Sequence, residues 1–424
     1  MKSELNLKPM NDLDVIANSN ALDGVKIALC VGGGIAAVET PRIIRALRRK
    51  GANVKVFATQ NALKFVGREA LEWASAQPII GEISGLAEHI TKEDLVLVVP
   101  ATADLLGKAA HGICPEPCST YIQSALGMEK PIMFLPTMHD SMRSSPAVIR
   151  NLEILAQFRG VEFLEARVEE GKWKAPLPEG LALEVAFRFN KRRHFGSTEK
   201  TKRALVTLGG TLAKLDAARA ISNFSTGTLG SYLIEALLEK GIEVVALCAA
   251  HSAPIRPCAG LTKIDAPLFE DFQEWLKNRT NTLNLDALFH LAAISDYGPV
   301  AVNKNKISSN NEKLALELHR LPKLIAMPHL EEIPLRVACK YTSTNSKTDE
   351  EKAIKLMKTY SLNAVYWNWG DSAFGLNKSG GGLLFQRDST AVREIHSKHE
   401  AAKNIASLFE CCEQHSAPRS SQGI

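Results

Sequence analysis

The sequence predicts an α/β protein built from two Rossmann-like, three-layer domains, each a parallel sheet between helices. Short apolar runs alternate with segments of helical periodicity, and this pattern starts twice, near residue 25 and again at residue 204. Each start joins an apolar run to glycines, at residues 32–34 and 209–210. Alternation of this kind predicts parallel strands with helices on both faces. The 424 residues suffice for roughly two to three domains.

The elements of the first half follow in order. An apolar run at residues 25–31 predicts the first strand, and the three glycines predict the turn after it. Residues 41–50 carry apolar side chains at helical spacing, and Gly51 is placed to end that helix. Further strands are predicted at residues 53–58, 95–100 and 131–135. The Leu and Val content of residues 95–100 is typical of a strand covered on both faces.

The second half repeats this architecture. Its predicted strands lie at residues 204–208, 243–248, 287–292, 335–339 and 363–366. Residues 187–203 carry many Lys and Arg without a repeated pattern of aromatic residues, which indicates a solvated linker rather than a nucleic-acid surface. We therefore expect five segments. They are an N-terminal extension at residues 1–23, a first domain at 24–186, a basic linker at 187–203, a second domain at 204–412 and a polar tail at 413–424.

Composition narrows the class of protein. The hydrophobic share is 45% and the formal net charge is +5, which is ordinary for a globular chain and too mild to indicate a nucleic-acid partner. The N-terminus lacks the apolar segment of a signal peptide, and no apolar run is long enough to span a membrane. The eight cysteines show no Cys-x-x-Cys pair and no zinc spacing. We expect a cytoplasmic protein whose cysteines are free thiols. We also expect no membrane partner and no metal held by the protein's own side chains.

The stretch at residues 204–230 predicts a phosphate site. An apolar strand ends in Gly-Gly-Thr at residues 209–211, and a polar loop at residues 222–227 opens a helical pattern. Backbone N–H groups at a helix start point at an anion, the helix dipole favours negative charge, and glycine lets the backbone approach closely. The spacing matches neither the dinucleotide pattern nor the P-loop. An ordinary turn with a Ser or Thr cap is the alternative interpretation.

The first half predicts a second site at the carboxyl ends of its strands, where open α/β sheets bind ligands. Gly33, Gly34 and the Thr102 hydroxyl are placed to hold a phosphate. Met138, four residues before Met142, predicts a soft apolar wall for a flat ring, with core packing as the alternative.

Three further side chains of the first half are candidates for this site. Thr59 follows the second predicted strand and so belongs to the same edge of the sheet. His89 and His139 are candidates for proton transfer, because histidine titrates near neutral pH. A structural hydrogen bond is the alternative role for each histidine.

These motifs, taken in order, resemble the bifunctional coenzyme A flavoproteins, a family that fuses phosphopantothenoylcysteine decarboxylase to phosphopantothenate–cysteine ligase. In the first half the similar segments are Gly-Gly-Ile-Ala-Ala, Pro-Ala-Thr-Ala-Asp and Lys-Ala-Ala-His-Gly, at residues 33–37, 100–104 and 108–112. In the second half they are Gly-Gly-Thr, Ile-Ser-Asn-Phe-Ser-Thr-Gly, Ala-Ala-Ile-Ser-Asp and Lys-Ile-Ser-Ser, at residues 209–211, 221–227, 292–296 and 306–309. The resemblance implies a flavoprotein-type parallel sheet followed by a ligase-type sheet.

By this resemblance, the second domain joins 4′-phosphopantothenate to cysteine. The carboxylate attacks the α-phosphate of a nucleotide triphosphate, CTP or ATP, and the amine of cysteine then captures the acyl-nucleotide. Mg²⁺ would bridge the phosphates. The resemblance implies catalytic roles for Asn223 and Lys306. The nucleotide-binding residues that it implies are Gly209, Gly210, Ser225, Gly227, Asp296, Lys306 and Asn368.

The first domain is implied to bind FMN and to decarboxylate 4′-phosphopantothenoylcysteine to 4′-phosphopantetheine. His89 and His139 are the implied catalytic residues, and the implied FMN site comprises Gly33, Gly34, Ile35, Thr59, Pro100, Thr102 and Met138. Residues 136–142 read Pro-Thr-Met-His-Asp-Ser-Met where the family has Pro-Ala-Met-Asn-x-x-Met, so His139 replaces an asparagine that binds the substrate carboxylate. Residues 160–176, in the region of the family's mobile flap, contain no cysteine.

We therefore predict a bifunctional enzyme of coenzyme A biosynthesis. Two alternatives are a ligase whose degenerate flavoprotein domain serves assembly, and a non-enzymatic regulatory homologue. The resemblance also implies a homo-oligomer, with trimeric flavoprotein domains and dimeric ligase domains.

Overall fold

The computed structural model describes residues 11–196, 201–310, 312–370, 381–387 and 389–411. The chain divides into two compact units, residues 1–190 and 191–424. The predicted polar tail at residues 413–424 lies outside the described residues, as do residues 1–10 of the predicted extension and 197–200 of the predicted linker. Among the helices described, none combines the length and the apolar character that crossing a membrane requires.

The first unit contains seven strands and seven α-helices within its described residues. The strands are β1 Lys26–Val31, β2 Asn53–Ala58, β3 Leu95–Ala101, β4 Ile132–Pro136, β5 Val161–Phe163, β6 Arg167–Glu169 and β7 Lys172–Lys174. The helices are α1 Thr40–Arg49, α2 Arg68–Ser75, α3 Ala103–His111, α4 Pro117–Gly127, α5 Asp140–Arg143, α6 Pro146–Ala156 and α7 Pro178–Phe195. Short 3₁₀ helices lie at Ile35–Glu39 and Ala62–Lys64.

The first five strands form one parallel sheet in the order β2-β1-β3-β4-β5. Leu29 packs into a core with side chains of α1, α2 and α7, whereas its neighbour Cys30 packs on the opposite face with α3, α4 and α6. The sheet is therefore buried between two helical layers, as predicted. The strand order reverses between β1 and β3, and ligands of such sheets bind at the carboxyl ends of the strands at this point.

Helix α7 reaches into the span that the sequence assigned to a linker. It runs from Pro178 to Phe195, and the two compact units divide between Asn190 and Lys191. Its first half is apolar and buried, with Leu181, Val185 and other side chains in the core of the first unit. The basic residues near its end sit in its last turn, where they interact favourably with the helix dipole.

The second unit contains twelve strands and four α-helices in the part that the structure describes. The strands are β8 Arg203–Leu208, β9 Leu212–Lys214, β10 Ala220–Ser222, β11 Glu243–Cys248, β12 Leu261–Asp265, β13 Ala287–His290, β14 Tyr297–Pro299, β15 Leu318–Arg320, β16 Leu335–Thr342, β17 Ala364–Trp369, β18 Gly382–Gln386 and β19 Arg393–Ile395. The helices are α8 Thr228–Glu239, α9 Phe269–Arg279, α10 Lys347–Thr359 and α11 Lys398–Cys411. Short 3₁₀ helices lie at Thr280–Thr282, Leu324–Ala326 and Pro328–Glu332.

Eight of these strands form one sheet in the order β12-β11-β8-β13-β16-β17-β18-β19. The first six are parallel, and β18 and β19 continue the sheet antiparallel. Leu205 of β8 packs with α9, whereas Leu208 lies against Gly230 of α8. Residues three apart on a strand face opposite sides, so helices cover both faces and the predicted α/β architecture is confirmed.

Candidate functional site

The crevice of the first unit begins with the glycine turn after β1. A Cβ on Gly32 would lie 2.4 Å from the carbonyl oxygen of Pro100, and a Cβ on Gly33 would lie 2.3 Å from the Cβ of Asn61. The turn is thus in van der Waals contact with the loop after β2 and the end of β3, and only glycine fits at these two positions. Gly34 comes next, beginning the 3₁₀ helix that contains the predicted residue Ile35, which is exposed.

Thr102 completes this contact between predicted site residues. A Cβ on Gly34 would lie 3.5 Å from the Cγ2 of Thr102. Thr102 is the N-cap of α3, and its Oγ1 accepts a hydrogen bond from the N–H of Leu105 at 3.4 Å. The structure therefore brings together Gly33, Gly34, Pro100 and Thr102 at the point where the strand order reverses.

A threonine follows each of three strands of the first sheet: Thr59 after β2, Thr102 after β3 and Thr137 after β4. Thr59 is buried, and its Oγ1 accepts a hydrogen bond from the N–H of Ala62 at 3.1 Å. Thr137 is also buried, but its Oγ1 has no hydrogen-bond partner. Sequence reasoning missed Thr137, although the repeated threonine one residue beyond each strand was a usable signal.

The loop after β4 is covered by the β6–β7 hairpin. The carbonyl oxygen of Met138 accepts a hydrogen bond from the N–H of Trp173 at 2.9 Å, and the N–H of Asp140 donates to the carbonyl of Gly171 at 3.1 Å. The guanidinium of Arg143 lies 5.1 Å from the centre of the Trp173 ring. The cysteine-free flap region is therefore a hairpin docked on the loop that carries Met138. The Met138 side chain packs in a buried core cluster with Leu105 and Phe134, which is the alternative role given for it above.

The two predicted histidines occupy different surroundings. His139 is the N-cap of α5, and its Nδ1 accepts a hydrogen bond from the N–H of Ser141 at 3.2 Å. Nδ1 also lies 2.8 Å from Ser141 Oγ. A ring that accepts at Nδ1 carries its proton on Nε2 when neutral. His89 is exposed in the loop before β3, and no hydrogen bond or ion pair among the described residues joins it to the crevice. His139 therefore lies on the loop that the β6–β7 hairpin covers, whereas His89 lies elsewhere.

The second unit has a crevice of the same kind between β8 and β13, where its strand order reverses. Gly209 and Gly227 both have positive φ angles, of +85° and +66°. A Cβ on Gly227 would lie 2.9 Å from the backbone nitrogen of Gly209, and a Cβ on Gly209 would lie 2.3 Å from Ser252 Oγ. The two glycine loops are therefore in direct contact and tolerate no side chain.

Hydrogen bonds join the loop after β13 to these two glycine loops. The carbonyl of Ala293 accepts from Asn223 Nδ2 at 3.0 Å and from the N–H of Thr211 at 3.2 Å. Ser295 donates its N–H to Thr211 Oγ1 at 2.9 Å, and Gly210 donates to the carbonyl of Ala250 at 3.3 Å. The predicted residues Gly209, Gly210, Asn223 and Gly227 thus share one edge of the sheet. Thr211 and Ser295 lie within the sequence motifs but were not singled out.

The N-terminus of α8 forms part of this edge. Gly227 is its N-cap and supplies no side chain, and the N–H of Gly227 lies 3.5 Å from Ser225 Oγ. The first N–H groups of a helix have no partner within the helix. This predicted loop therefore presents backbone donors and the positive end of the helix dipole.

Two charged residues of the predicted site lie on exposed segments. Asp296 forms an ion pair with Lys323. Lys306 is exposed, and the N–H of its neighbour Ile307 donates to Asp216 Oδ2 at 3.0 Å. The N–H groups of Ile307 and two residues near Asp216 hold the pKa of that buried carboxyl below its ordinary value. The segment is therefore anchored beside Lys306, whereas the Lys306 side chain itself faces solvent.

Asn368 is placed apart from the glycine loops. It lies on β17, two strands beyond β13, and its amide donates to Cys339 Sγ at 3.1 Å. Burial raises the pKa of the Cys339 thiol to about 11, so this partner is uncharged near neutral pH. The amide of Asn368 is accordingly engaged within the sheet.

Sequence reasoning also missed a histidine at the end of β13. His290 is buried, which lowers its pKa to about 4, and its Nδ1 lies 3.4 Å from Thr207 Oγ1. The same oxygen accepts a hydrogen bond from the N–H of Ala292 at 3.2 Å. A neutral His290 thus supports the start of the loop that carries Asp296.

Two models of known protein families match this chain and define its class. A family model described as "Flavoprotein" matches residues 15–182, and one described as "DNA/pantothenate metabolism flavoprotein C-terminal domain" matches residues 199–411. The chain therefore joins a flavoprotein domain to a C-terminal domain of pantothenate metabolism.

The curated relatives that match the chain belong to one family. The coenzyme A biosynthesis bifunctional protein CoaBC of Thermococcus kodakarensis is 36% identical over 314 residues, covering 72% of this chain and 75% of the relative. CoaBC of Methanocaldococcus jannaschii is 29% identical over 357 residues, covering 82% and 85%. The solved DNA/pantothenate metabolism flavoprotein from Streptococcus pneumoniae is 22% identical, with a TM-score of 0.43, over 50% of this chain and 99% of that one. The chain belongs to the family of bifunctional coenzyme A biosynthesis proteins.

Family membership confirms several predictions. The chain is an enzyme of coenzyme A biosynthesis with phosphopantothenate–cysteine ligase activity, whose substrates include 4′-phosphopantothenate and cysteine. The match to the flavoprotein family supports FMN as the cofactor. Neither alternative, a ligase with a degenerate flavoprotein domain or a regulatory homologue, finds support in these comparisons.

Proposed function

We propose that the two activities occupy the two crevices: ligation through an acyl-nucleotide between β8 and β13, and decarboxylation with FMN between β1 and β3. One observation supports both assignments. In each unit the glycine turn after the central strand contacts the loops of neighbouring strands at the point where the strand order reverses. Open α/β sheets bind phosphate-bearing ligands at such points.

The glycine loops of the second unit are proposed to bind the triphosphate of CTP or ATP. Gly209 and Gly227 leave the backbone uncovered, and the N-terminus of α8 favours negative charge. Gly210 and Ser225 belong to the same two loops. Mg²⁺ would be held by the phosphates with few direct protein ligands. Within the described residues, no cluster of three or more His, Cys, Asp or Glu side chains could hold a metal by itself.

Asn223 and Lys306 are the proposed catalytic residues of the ligase. The hydrogen bond from Asn223 to the Ala293 carbonyl orients the amide, which keeps its oxygen and a second N–H for the acyl group. Lys306 is a proposed phosphate contact, because its ammonium is exposed on an anchored segment. Asp296 would accept a hydrogen bond from the base or ribose, and its ion pair with Lys323 would orient its carboxylate. Asn368 donates one hydrogen bond to Cys339, and its amide oxygen and second N–H are the groups proposed to contact the nucleotide.

The first crevice fits FMN. Its glycines leave room for a phosphate, Thr59 and Thr102 supply hydroxyls, and buried Met138 supplies an apolar surface. The buried, unpartnered hydroxyl of Thr137 is a polar group that a polar ligand would satisfy. Bound FMN would supply the oxidation of the cysteinyl carbon that precedes loss of CO₂ and the reduction that follows. His139 would donate a hydrogen bond to the substrate carboxylate through Nε2, in place of the family's asparagine.

Product analysis of the full chain tests both assignments. With 4′-phosphopantothenate, cysteine, Mg²⁺ and either CTP or ATP, mass spectrometry should detect 4′-phosphopantothenoylcysteine and then 4′-phosphopantetheine. A His139→Ala variant should accumulate the first product, and an Asn223→Ala variant should form both products about 10²–10³-fold more slowly. Ligation without nucleotide would contradict the first assignment, and unchanged decarboxylation by His139→Ala would contradict the second.

The assembly and the location of the protein are proposed from separate observations. We propose a homo-oligomer, with trimeric flavoprotein domains and dimeric ligase domains. Tyr297, Val300 and Val302 expose half or more of their surfaces on the segment that begins at β14, and exposed apolar groups often mark interfaces. Light scattering of the full chain would test the stoichiometry. The cysteines whose side chains are described form no disulfides, which fits a cytoplasmic location.

A further inference from the structure

The hydroxyl group of Thr137 is costly for the first unit. Thr137 is 8% exposed, and its Oγ1 is buried without a hydrogen-bond partner. The equivalent hydroxyls of Thr59 and Thr102 each accept a hydrogen bond from a backbone N–H. A buried polar group without a partner destabilises the folded state, and an apolar group of the same shape would avoid that penalty.

This residue also departs from the related pattern. Residues 136–139 read Pro-Thr-Met-His, where the resembling family has Pro-Ala-Met-Asn. No group of the strand or of the turn after it uses this hydroxyl, because its Oγ1 has no partner among the described residues. Its burial without a partner points to a ligand that is bound there.

The location of Thr137 indicates which part of a ligand it meets. Its N–H donates to the carbonyl of Ala101 at 3.3 Å, so it adjoins the end of β3. The strand β4 lies two strands from β1, a separation of roughly 10 Å at the usual spacing. With a phosphate at the glycine turn after β1, the far end of the ligand is its ring. Met138, the next residue, is buried and tied to the β6–β7 hairpin.

We propose that the Thr137 hydroxyl donates a hydrogen bond to the polar edge of the flavin ring and thereby raises both FMN affinity and the flavin reduction potential. The inference rests on the proposed binding of FMN in this crevice. A donor aimed at the ring stabilises the reduced flavin, which carries more negative charge than the oxidised form. Thr137 is thus a positioning and tuning residue of the decarboxylase site.

The test compares four variants of the full chain. Thr137→Val and Thr137→Ala remove the hydroxyl, and Thr137→Ser keeps it. Thr40→Val is the matched control, because the Thr40 hydroxyl is also buried and unpartnered in the same unit but lies in α1. Titration of FMN into flavin-free protein gives the dissociation constant, and a redox titration with visible spectra gives the potential.

Both Thr137→Val and Thr137→Ala should bind FMN about 3- to 10-fold more weakly, the typical effect of one neutral hydrogen bond. Their reduction potentials should fall, and their flavin absorption bands should shift. Thr137→Ser and Thr40→Val should retain the wild-type affinity and potential. In flavin-free protein, Thr137→Val should melt at the same temperature as wild type or higher, because it removes an unpartnered hydroxyl.

Three results would overturn the proposal. Wild-type affinity and potential in Thr137→Val would show that the hydroxyl does not meet the flavin, while leaving FMN binding itself intact. A lower melting temperature of flavin-free Thr137→Val, with unchanged potential, would assign the hydroxyl a structural role. Failure of the wild-type chain to bind FMN would overturn the proposed cofactor site as well, so the two failures are distinguishable.

Discussion

Single residues of the ligase crevice owe their proposed roles to neighbours that are distant in sequence. Asn223 is exposed, yet its amide is oriented by the carbonyl of Ala293, seventy positions further along the chain. Sequence reasoning selected Asn223 by residue type and motif. It missed His290 and Thr137, because burial and the lack of a partner are properties of the folded surroundings and not of the residue type.

Replacing Asn223 by alanine should lower ligase turnover by about 10²–10³-fold. The variant loses a fixed donor and acceptor at the proposed acyl group, while the fold keeps the other hydrogen bonds between the loops. Quenched-flow analysis with labelled nucleotide would report acyl-nucleotide formation and decay. Asn278→Ala, at an exposed position on α9, is the control and should retain wild-type turnover. Wild-type kinetics in Asn223→Ala would refute its catalytic role.

His290 should make the second unit less stable in mild acid. Burial lowers its folded-state pKa from the ordinary 6.5 to about 4, so between these pH values the unfolded chain binds a proton that the folded chain does not. The free energy of unfolding should therefore fall as the pH is lowered from 6.5 to 4, by about 3 kcal/mol in total. Denaturant unfolding at several pH values would measure this slope.

The same experiment on His290→Gln should show a flatter pH dependence in that window, whereas His319→Gln, at an exposed position on β15, should keep the wild-type slope. The buried carboxyl of Asp216 does not contribute to the slope in this pH window. Its pKa in the folded protein is lowered, so the stability that its ionised form provides is lost only at lower pH. Equal slopes for wild type and His290→Gln would contradict the assignment.

At the scale of elements, the glycine turns and the start of α8 define the ligase crevice. Gly227→Ala should weaken nucleotide binding by more than about tenfold, because its Cβ would lie 2.9 Å from the backbone nitrogen of Gly209 and displace a phosphate-binding loop. Gly196→Ala is a matched control with the same φ of +66° and no atom within 4 Å of the new Cβ. It should show only the strain of a positive φ, about 1–2 kcal/mol.

Isothermal titration of CTP and ATP into both variants, with melting curves for each, would separate the two effects. Equal nucleotide affinity in Gly227→Ala and Gly196→Ala would mean that the contact between the loops has no part in binding.

Strands with a continuous run of buried apolar residues were predictable from the sequence, whereas exposed edge strands were not. Leu95–Ala101 is a run of buried apolar residues, so its prediction as a central strand is confirmed as β3. The strand β12 reads Leu-Thr-Lys-Ile-Asp at the sheet edge, with three exposed positions, and its composition did not predict a strand. The β6–β7 hairpin was missed for the same reason, because its residues are exposed or only half-buried.

At the scale of the whole molecule, the two compact units should be separable. Residues 201–411 should fold alone and retain ligase activity, and residues 11–196, which keep all of α7, should fold and bind FMN. Each unit has its own sheet and its own buried clusters. Circular dichroism and product assays on the two fragments, with the full chain as control, would test this. Insoluble or inactive fragments would show that each unit depends on the other.

The sequence by itself determined the two α/β sheets with their parallel strands, the two glycine turns and the family, because apolar periodicity, glycine and ordered motifs are local properties of the chain. The antiparallel strands β18 and β19 at the end of the second sheet were not predicted. Only the tertiary structure decided which candidates share a site. His139 lies in the loop covered by the hairpin whereas His89 does not, and Asn223 meets Ala293 whereas Asn368 is engaged with Cys339. These outcomes depend on strand order and long-range hydrogen bonds, which join residues far apart in the sequence and leave no local pattern.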